Sequence, residues 1–558
     1  MTKKILALSM AVVTCFFTAC KGNKGNKTYS YVPEEIVACE QHECTKMRAK
    51  APTCEEDGNL EYWTCYRCDK IFADANASQE LSVASVVLPK LAHNPVFVDA
   101  GQSTCSTKGN SAYWYCSNCY TYFQDEGCQT VIADKSSVLL GKLSHTLTHY
   151  TASEPSGKVN GCVEHWNCSV CDGYFLDEYG FQEASQAATT VLAAYNIPDF
   201  VVDVPVGRDP IVLQLTDTQI IDAAQTRPGR GGVDYDFWGT DKVEERCYDY
   251  ITELVTATNP DLILLTGDII YGEFDDNGTA LTGFINFMEG FQIPWAPVFG
   301  NHDNESRKGA DWQCQQLENA EYCLFEQKTL TGNGNYSVAI AQGDEIKRVF
   351  YMLDTNGCGG ASDASMANGH TKREIGLGQD QIAWYTEQIT ALKAKAPDVK
   401  ISFAYHIQAA MFGVAYAKYG FNQAVLQQDI NIDLRGDAAD TDFGFIGRQM
   451  KNPWDEDFAI YNGMKALGMD SIFVGHEHCN SASVVYDGVR FQFGQKTSEY
   501  DRFNYINTDG TITDEPKDGK SLMGGTVIPL SATDGAIKNP YIYYCGYLNG
   551  QIDWTQWM

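Results

Sequence analysis

Five short segments in the C-terminal two-thirds of the chain carry carboxylate, amide and imidazole groups, which are common ligands of metal ions. In chain order they are Asp217-Thr218-Gln219, 267–271, 300–303, His406 and 475–478. Nearly every one follows a short apolar run that suits a buried strand. Because sites in α/β sheets gather at the carboxyl ends of strands, we expect these groups to converge. The sequence therefore predicts that these metal-binding groups lie together at one edge of the fold.

This series resembles the calcineurin-like metallophosphoesterase family over about residues 208–500, and Gly267-Asp268-x-x-Tyr271 resembles its purple acid phosphatase-related branch. The resemblance implies an α/β fold, a four-layer α/β/β/α sandwich, with two divalent or trivalent ions of iron, manganese or zinc. It also implies hydrolysis of phosphate mono- or diesters by attack of metal-bound hydroxide.

The resemblance assigns roles to individual residues. Asp268 would bridge the two ions, which need a shared anion to offset their repulsion. His302 would act at the leaving oxygen as general acid or hydrogen-bond donor, and Asp303 would orient its imidazole. The other ligands divide between the ions, with Asp217 and His478 on the first and Asn301, His406 and His476 on the second.

Gln219 departs from the family pattern, since most relatives have histidine two residues after the first aspartate. In the purple acid phosphatase branch a tyrosine three residues after the bridging aspartate ligates ferric iron. Two interpretations stay open for this chain. Either Tyr271 binds the first ion as a phenolate, or Tyr271 only packs and Gln219 or water completes that ion's ligands.

The apolar runs alternate with helical patterns, which is typical of layered α/β domains. Strands are predicted at 211–215, 262–265, 296–299, 349–353, 401–405 and 471–474. An apolar stripe predicts a helix over 241–258, ended by Asn259-Pro260, and a second helix is predicted to begin at Gln379 and run to 392. Late aromatic strands are expected within 541–557. We assign this domain to residues 200–558.

Residues 36–190 contain a threefold repeat built around Cys-x-x-Cys pairs, which predicts three small Cys-rich β modules. One histidine and three cysteines per module form a tetrahedral ligand set for structural zinc. Disulfides are the main alternative, because exported proteins favour them, and a redox pair is a weaker one. The proposed sets are His42, Cys54, Cys65 and Cys68; His93, Cys105, Cys116 and Cys119; and His145, Cys162, Cys168 and Cys171, with His149 as a rival for His145.

The N-terminus resembles a bacterial lipoprotein signal. Lys3 and Lys4 precede an apolar run that is too short to span a bilayer, and the run ends in Phe17-Thr18-Ala19-Cys20. We expect residues 1–19 to be a signal peptide, Cys20 to be lipidated and residues 20–35 to form a tether. The protein is thus predicted to be an exported, membrane-anchored lipoprotein on the extracytoplasmic side.

The composition indicates a folded protein and disfavours one class of partner. The 558 residues include 44% apolar residues, enough for a large core, and carry a net charge of −31. An acidic surface disfavours long nucleic acids, which reward basic patches. The leading interpretation is a phosphoesterase acting on a phosphate-ester substrate. The alternative is a surface binding protein whose modules do the work and whose phosphoesterase scaffold is catalytically silent.

Overall fold

The computed structural model describes residues 41–225, 241–357, 375–421, 432–434, 442–447, 454–514 and 519–545. The chain divides into two compact units, one up to Ser144 and one from His145 onward. The third Cys/His repeat therefore belongs to the second unit, although the sequence analysis grouped all three repeats together. Cys20 and the predicted signal and tether lie outside the described residues.

The first unit contains two repeats, each an antiparallel sheet beside a two-stranded ribbon. In the sheets the strand orders are β1-β3-β4-β5 and β10-β9-β7, and the ribbons pair β2 with β6 and β8 with β11. The central strands β3 and β9 end at the first cysteine of each Cys-x-x-Cys pair. The elements are β1 (Cys44–Met47), β2 (Gly58–Asn59), β3 (Tyr62–Cys65), β4 (Ile71–Phe72), β5 (Glu80–Leu81), α1 (Val83–Val86), β6 (Val87–Leu88), β7 (Pro95–Val98), β8 (Gly109–Asn110), β9 (Tyr113–Cys116), β10 (Tyr122–Phe123) and β11 (Leu139–Leu140).

The third repeat has the same pairing pattern and packs within the second unit. Its sheet has the order β12-β14-β15-β16 and its ribbon pairs β13 with β17. Lys158 Nζ donates to Asp203 Oδ2 at 2.7 Å, which joins the repeat to the first strand of the following domain. The elements are β12 (Leu147–Tyr150), β13 (Gly161–Cys162), β14 (His165–Cys168), β15 (Tyr174–Phe175), β16 (Glu183–Ala184), α2 (Gln186–Thr189) and β17 (Thr190–Val191).

The rest of the second unit contains two large mixed sheets. One has the order β18-β22-β23-β24-β27-β29-β28 and the other β21-β20-β19-β33-β34, with small pairings β25-β26 and β31-β30-β32. The elements are β18 (Phe200–Asp203), β19 (Ile211–Leu215), α3 (Asp241–Thr258), β20 (Leu262–Leu265), α4 (Thr279–Glu289), β21 (Trp295–Pro297), α5 (Ala310–Glu318), β22 (Tyr336–Gln342), β23 (Glu345–Met352), α6 (Gln379–Lys395), β24 (Lys400–Ala404), α7 (Met411–Tyr416), β25 (Ile432–Asp433), β26 (Phe445–Ile446), α8 (Ala459–Ala466), β27 (Met469–Val474), β28 (Ser483–Tyr486), β29 (Val489–Phe493), β30 (Tyr505–Ile506), β31 (Ile512–Thr513), β32 (Lys520–Ser521), β33 (Gly524–Pro529) and β34 (Tyr541–Tyr544).

Side-chain alternation along the seven-stranded sheet builds two cores. Ile340 and Phe350 point to a core that is shared with the five-stranded sheet and continues to α3 and α4. Their neighbours Ala339 and Val349 point to the opposite face, where they pack with residues of α6 and α8. Because successive side chains of a strand face opposite ways, both faces of the sheet are buried. The predicted α/β/β/α sandwich is confirmed.

Arg348 on β23 is fully buried and links neighbouring strands of the large sheet. Its guanidinium donates to Asp470 Oδ1 at 2.6 Å and Oδ2 at 2.8 Å. It also donates to Ser402 Oγ at 2.6 Å and to the Gly535 carbonyl at 2.9 Å. A buried charge is tolerated only when it is paired and hydrogen-bonded, so this network supports the sheet that carries half of the predicted ligands.

Asp470→Asn should lower the free energy of unfolding by about 3 kcal/mol, because loss of one partner leaves a buried charge uncompensated. The value is at the low end for buried pairs because the Asp470 side chain is 32% exposed. Denaturant titration of the purified variant measures the change. Glu345→Gln disrupts the more exposed pair with Lys347 and should have little effect. Equal destabilisation by both substitutions would contradict the prediction.

Candidate metal centre

The predicted ligands lie at adjacent strand ends of the two sheets. Asp217 follows β19 and Asp268 follows β20 in one sheet, whereas His406 follows β24 and His478 follows β27 in the other. Donor atoms of Asp217, Asp268 and His478 all lie within 4.8 Å of one another. Asn301 follows β21, and its side chain contacts His406 and His476. Stacking of the sheets thus brings together residues that are more than 250 positions apart in the chain.

The two carboxylates are buried and each keeps one oxygen without a hydrogen bond. Asp217 Oδ2 accepts from Thr216 Oγ1 at 2.7 Å, and Asp268 Oδ1 accepts from the His302 backbone N–H at 2.8 Å. Asp217 Oδ1 and Asp268 Oδ2 have no such partner in the described part of the chain. Each lies 3.3 Å from an imidazole Nε2, of His478 and His406 respectively. These two oxygens are therefore aimed at the centre of the group.

Backbone and carboxylate partners fix the orientation of the imidazoles. His406 Nδ1 donates to the Thr266 carbonyl at 2.8 Å, which leaves Nε2 as the nitrogen that faces Asp268 and would be available to a metal ion. Asp501 Oδ2 lies 3.3 Å from His478 Nδ1 and favours the same tautomer there. Such partners on the far nitrogen are usual for histidines that bind metals.

Asn301 connects the imidazoles of the second predicted ion. Its Oδ1 lies 3.1 Å from His406 Nε2 and 2.7 Å from His476 Nδ1. The rings of His406 and His476 meet edge to face, with centroids 5.2 Å apart. The amide oxygen and two imidazoles thus converge on one point, as a shared ligand set requires.

Three of the ligands occupy backbone conformations that L residues rarely adopt. The φ angles of Asp217, Asp268 and His476 are 52°, 51° and 73°. A non-glycine residue in the left-handed region costs about 1–3 kcal/mol and persists only where its surroundings impose it. Strain at these ligands is consistent with a functional role for their side-chain directions.

The electrostatics of the group favour positive charge at its centre. Burial lowers the pKa of His406, but the facing Asp268 and Asp217 carboxylates raise it overall to about 9. Burial opposes ionisation of Asp217, yet His478, His406 and Lys496 hold its pKa at about 2. Buried carboxylates, an amide oxygen and oriented imidazoles form a donor set that fits divalent or trivalent ions. The residues present therefore fit two bound metal ions.

Gln219 lies beside Lys496 and His478. Its Oε1 accepts a hydrogen bond from Lys496 Nζ at 2.8 Å, and its Nε2 lies 3.3 Å from His478 Nε2. Lys496 is buried and also donates to the Asp217 carbonyl at 3.0 Å. The Gln219 oxygen is thus held by an ammonium group beside the predicted first ion, and ligation by Gln219 stays a prediction.

Glu305, and not Asp303, orients the predicted catalytic imidazole. Glu305 Oε2 lies 2.8 Å from His302 Nδ1. The Asp303 carboxylate instead accepts backbone N–H groups of Gly300 at 2.7 Å and Ile270 at 3.0 Å. Asp303 therefore fixes the turn that carries His302, because its short side chain folds back onto this loop. The assignment of Asp303 as the orienting group is corrected accordingly.

Tyr271 packs its ring on His302, with centroids 4.0 Å apart. This contact places Tyr271 at the edge of the centre. Ligation of an iron by its phenolate stays a prediction.

The Cys/His clusters of the repeats also differ from the proposed sets. Cys54, which was expected to join His42, lies instead with His93, Cys116 and Cys119, in the place predicted for Cys105. The cause is the position of Cys54 at the junction of two modules, where its Sγ lies 3.9 Å from the Ala92 carbonyl. His42, Cys65 and Cys68 form a second cluster.

In the third repeat, the histidine and the Cys-x-x-Cys pair again lie together, but the predicted fourth ligand, Cys162, does not join them. Cys171 Sγ lies 3.5 Å from His145 Nδ1, and Cys168 adjoins both. Cys162 belongs to no such cluster among the described residues. Its Sγ contacts the Thr151 carbonyl at 3.3 Å. His149, the rival for His145, pairs with Glu164 at 2.9 Å.

Sequence reasoning missed three residues that contact the centre: Glu305, Lys496 and Asp501. Glu305 follows His302 by three residues, a spacing that allows contact on one turn. Lys496 and Asp501 follow β29, so the strand-end rule that identified the ligands could have identified them too. Neither residue belongs to a metal-ligand motif, because Lys496 contacts Gln219 and Asp501 contacts His478.

Part of the chain is similar to known proteins. The model of the calcineurin-like phosphoesterase family matches residues 211–480. Phosphatase DCR2 of Saccharomyces cerevisiae is 23% identical over 244 residues, which are 43% of this chain and 39% of that protein. An uncharacterized protein of Schizosaccharomyces pombe is 24% identical over 183 residues, or 33% of this chain and 34% of that protein. The chain thus spans well under half the length of these curated relatives.

Among solved structures, a dimetal phosphatase from Danio rerio aligns with a TM-score of 0.33 at 12% identity. The alignment covers 58% of this chain and 93% of that one. Purple acid phosphatase PPD1 from yellow lupin aligns with a TM-score of 0.29 at 10% identity, over 88% of this chain and 80% of that one.

Gly300→Ala should lower the metal content of the purified protein. A Cβ at Gly300 would overlap the backbone nitrogen and a carboxylate oxygen of Asp268, so the bridging side chain must move. Elemental analysis measures the loss. Gly463→Ala is the matched control, because a Cβ there meets no heavy atom within 4 Å. A full complement of metal in Gly300→Ala would contradict the proposed position of Asp268.

Proposed function

We propose that residues 211–480, which belong to the calcineurin-like phosphoesterase family, hydrolyse phosphate esters with two bound metal ions. The observation that carries the proposal is the convergence of Asp217, Asp268 and His478, with donor atoms within 4.8 Å, beside the Asn301 and His406 pair. Two buried carboxylate oxygens of this group accept no hydrogen bond and face imidazole nitrogens at 3.3 Å, an arrangement of donors that suits a metal ion. The bound ions would activate water near neutral pH and offset charge that develops on the phosphate.

Asp268 would lie between the two ions. Its carboxylate lies with Asp217 and His478, and its Oδ2 also faces His406, so it adjoins both halves of the group. Asp217 and His478 would hold one ion, and Asn301, His406 and His476 the other. This division follows the distances between the side chains and the family's pattern of ligands.

His302 would deliver a proton or a hydrogen bond to the leaving oxygen. Its side chain is 13% exposed, whereas Glu305, which fixes its Nδ1, is 1% exposed. The imidazole therefore lies at the accessible edge of a buried site, with Nε2 as the nitrogen that can meet a substrate. Burial lowers the pKa of His302, but the Glu305 and Asp268 carboxylates raise it to about 10, which favours the protonated form in the absence of bound ions.

A silent scaffold is the competing proposal, and it rests on Gln219, whose oxygen is engaged by Lys496. Water could complete the ligands of the first ion, and the donor atoms of the other carboxylate, amide and imidazole side chains lie close together. We therefore favour the hydrolase. Hydrolysis of an aryl phosphomonoester and an aryl phosphodiester, each with added Mn²⁺, Zn²⁺ or iron, separates the two proposals. Absence of turnover with every metal and both esters would favour the scaffold.

His302→Ala should slow turnover by roughly 10²–10⁴ without loss of metal, because general acid–base groups contribute about this much and His302 lies outside the ligand set. Asp268→Asn should lose both metal and activity. Steady-state kinetics and elemental analysis of the two variants measure these effects. Equal loss of metal in both would show that His302 is a ligand and that its role has been misassigned.

We further propose that the protein is exported and anchored by a lipid on Cys20, on the basis of the Phe17-Thr18-Ala19-Cys20 sequence after a short apolar run. None of the helices in the described part of the chain is long and apolar enough to cross a membrane. A lipid would thus supply a membrane attachment that these helices do not.

Cys20→Ser should move the protein from the membrane fraction to the soluble fraction, because the lipid is attached through the thiol. Fractionation of cells, with incorporation of labelled palmitate, measures the change. Cys162→Ser, which removes a thiol that belongs to no described cluster, is the control and should leave both readouts unchanged. Membrane association and labelling that survive Cys20→Ser would exclude this anchor.

A further inference from the structure

We propose that a Zn²⁺ ion joins the first two Cys/His modules, with Cys54 from one module and His93, Cys116 and Cys119 from the next. The proposal is independent of the phosphoesterase centre. The four donor atoms lie within 4.8 Å of one another. It differs from the arrangement in which each module holds its own ion through its own four residues.

The donor spacing matches tetrahedral zinc. With Zn–S near 2.3 Å and Zn–N near 2.05 Å, a tetrahedral site places two sulfur atoms about 3.8 Å apart and a sulfur about 3.6 Å from a nitrogen. Cys54 Sγ lies 3.8 Å from Cys116 Sγ. Cys119 Sγ lies 3.5 Å from His93 Nδ1. Both separations are those of ligands around one ion.

The local backbone prepares Cys116 and Cys119 for a metal. Cys116 is the last residue of β9, and the chain then turns through Tyr120, whose φ is 55°. The Tyr120 N–H returns to the Cys116 carbonyl at 2.8 Å and closes the turn. The Asn94 backbone N–H donates to Cys116 Sγ at 3.4 Å. An N–H donor to sulfur stabilises the thiolate that zinc requires.

The equivalent turns of the other modules have the same form. Asp69 and Asp172 occupy the position of Tyr120 with φ of 58° and 56°. His42 and His145 lie 3.4 and 3.5 Å from the second cysteine of their pairs. The same arrangement of histidine, cysteine pair and turn therefore recurs in all three modules.

The junction has too few apolar side chains to hold together without a crosslink. Its buried residues are Cys54, Cys116, Phe123 and Cys128, with Trp114 and Cys119 packed against them. Most of this small core is thus the ligand set itself. Modules of this size usually need a metal or disulfides to fold, and here one ion would supply the core and the connection together.

Disulfides are the alternative chemistry for an exported chain. A Cys54–Cys116 bond would require the sulfur atoms to approach from 3.8 Å to about 2.05 Å and would leave Cys119 and His93 without a shared partner. The four-donor arrangement instead uses every group. Cys128 lies in the same small core but outside the donor set, so it provides a control thiol.

Zinc counts on single and double variants of the full chain test which residues share an ion. Cys54→Ser and His93→Ala should each remove one zinc per chain relative to the wild type, and the double variant should also remove only one. If each module held its own ion, these residues would serve different sites and the double variant would lose two. Cys128→Ser and Cys162→Ser should lose none. Any zinc in the phosphoesterase centre does not affect the result, because each variant's zinc count is compared with that of the wild type, which contains the same centre.

Cys54→His guards against a variant that simply fails to fold, since an imidazole can replace a thiolate on zinc. It should keep the wild-type zinc count and its resistance to proteolysis between the two modules. Additive loss in the Cys54→Ser and His93→Ala double variant would overturn the proposal. So would unchanged zinc in Cys54→Ser, or a Cys54–Cys116 disulfide found by peptide mapping under non-reducing conditions.

Discussion

Burial of Asp217 and Asp268 at neighbouring strand ends is the constraint around which the catalytic unit is organised. Two ionised carboxylates in a protein interior repel each other, and each would be costly without a compensating positive charge. The seven-stranded sheet supplies that compensation by presenting His406 and His478 to them at 3.3 Å. A second sheet stacked on the first is therefore a chemical requirement of the site as well as a source of core.

Three supporting groups contact the residues of the centre and hold them in position. Lys496 holds Gln219 and the Asp217 backbone, Asp501 steadies His478, and Glu305 steadies His302. Each binds the far side of a functional residue. The left-handed conformation of Asp217 is supported by Lys496 on its carbonyl, and that of Asp268 by the backbone N–H groups of His302 and Gln219.

The sandwich could be predicted from sequence because its strands are short apolar runs with distinct ends. Strands 211–215 and 262–265 and the helix that begins at Asp241 match the predicted bounds, since Asn259-Pro260 and the polar residues after each strand stop them. The strand predicted at 296–299 runs instead over Trp295–Pro297, because the following residues already bend towards the Gly300 turn. The predicted late strand is confirmed at Tyr541–Tyr544, and the rest of that segment lies outside the described residues.

Partnerships between side chains were less predictable. Asp303 and Glu305 are both acidic and both near His302, and only the fold decides which of them meets the imidazole. Periodicity likewise revealed that each module has three cysteines and a histidine. The period is the same, however, whether the four ligands of one ion come from one module or from two consecutive modules. Cys54 shows this ambiguity, since its neighbours in sequence and in space belong to different modules.

A module that contributes one ligand cysteine to the next module has two ends that are not equivalent. Tandem duplication of such a unit, about 51 residues long from Cys65 to Cys116, would bring a complete set of donors at every new junction without redesign. The array could therefore lengthen or shorten in evolution by whole copies, with only its two ends left unmatched.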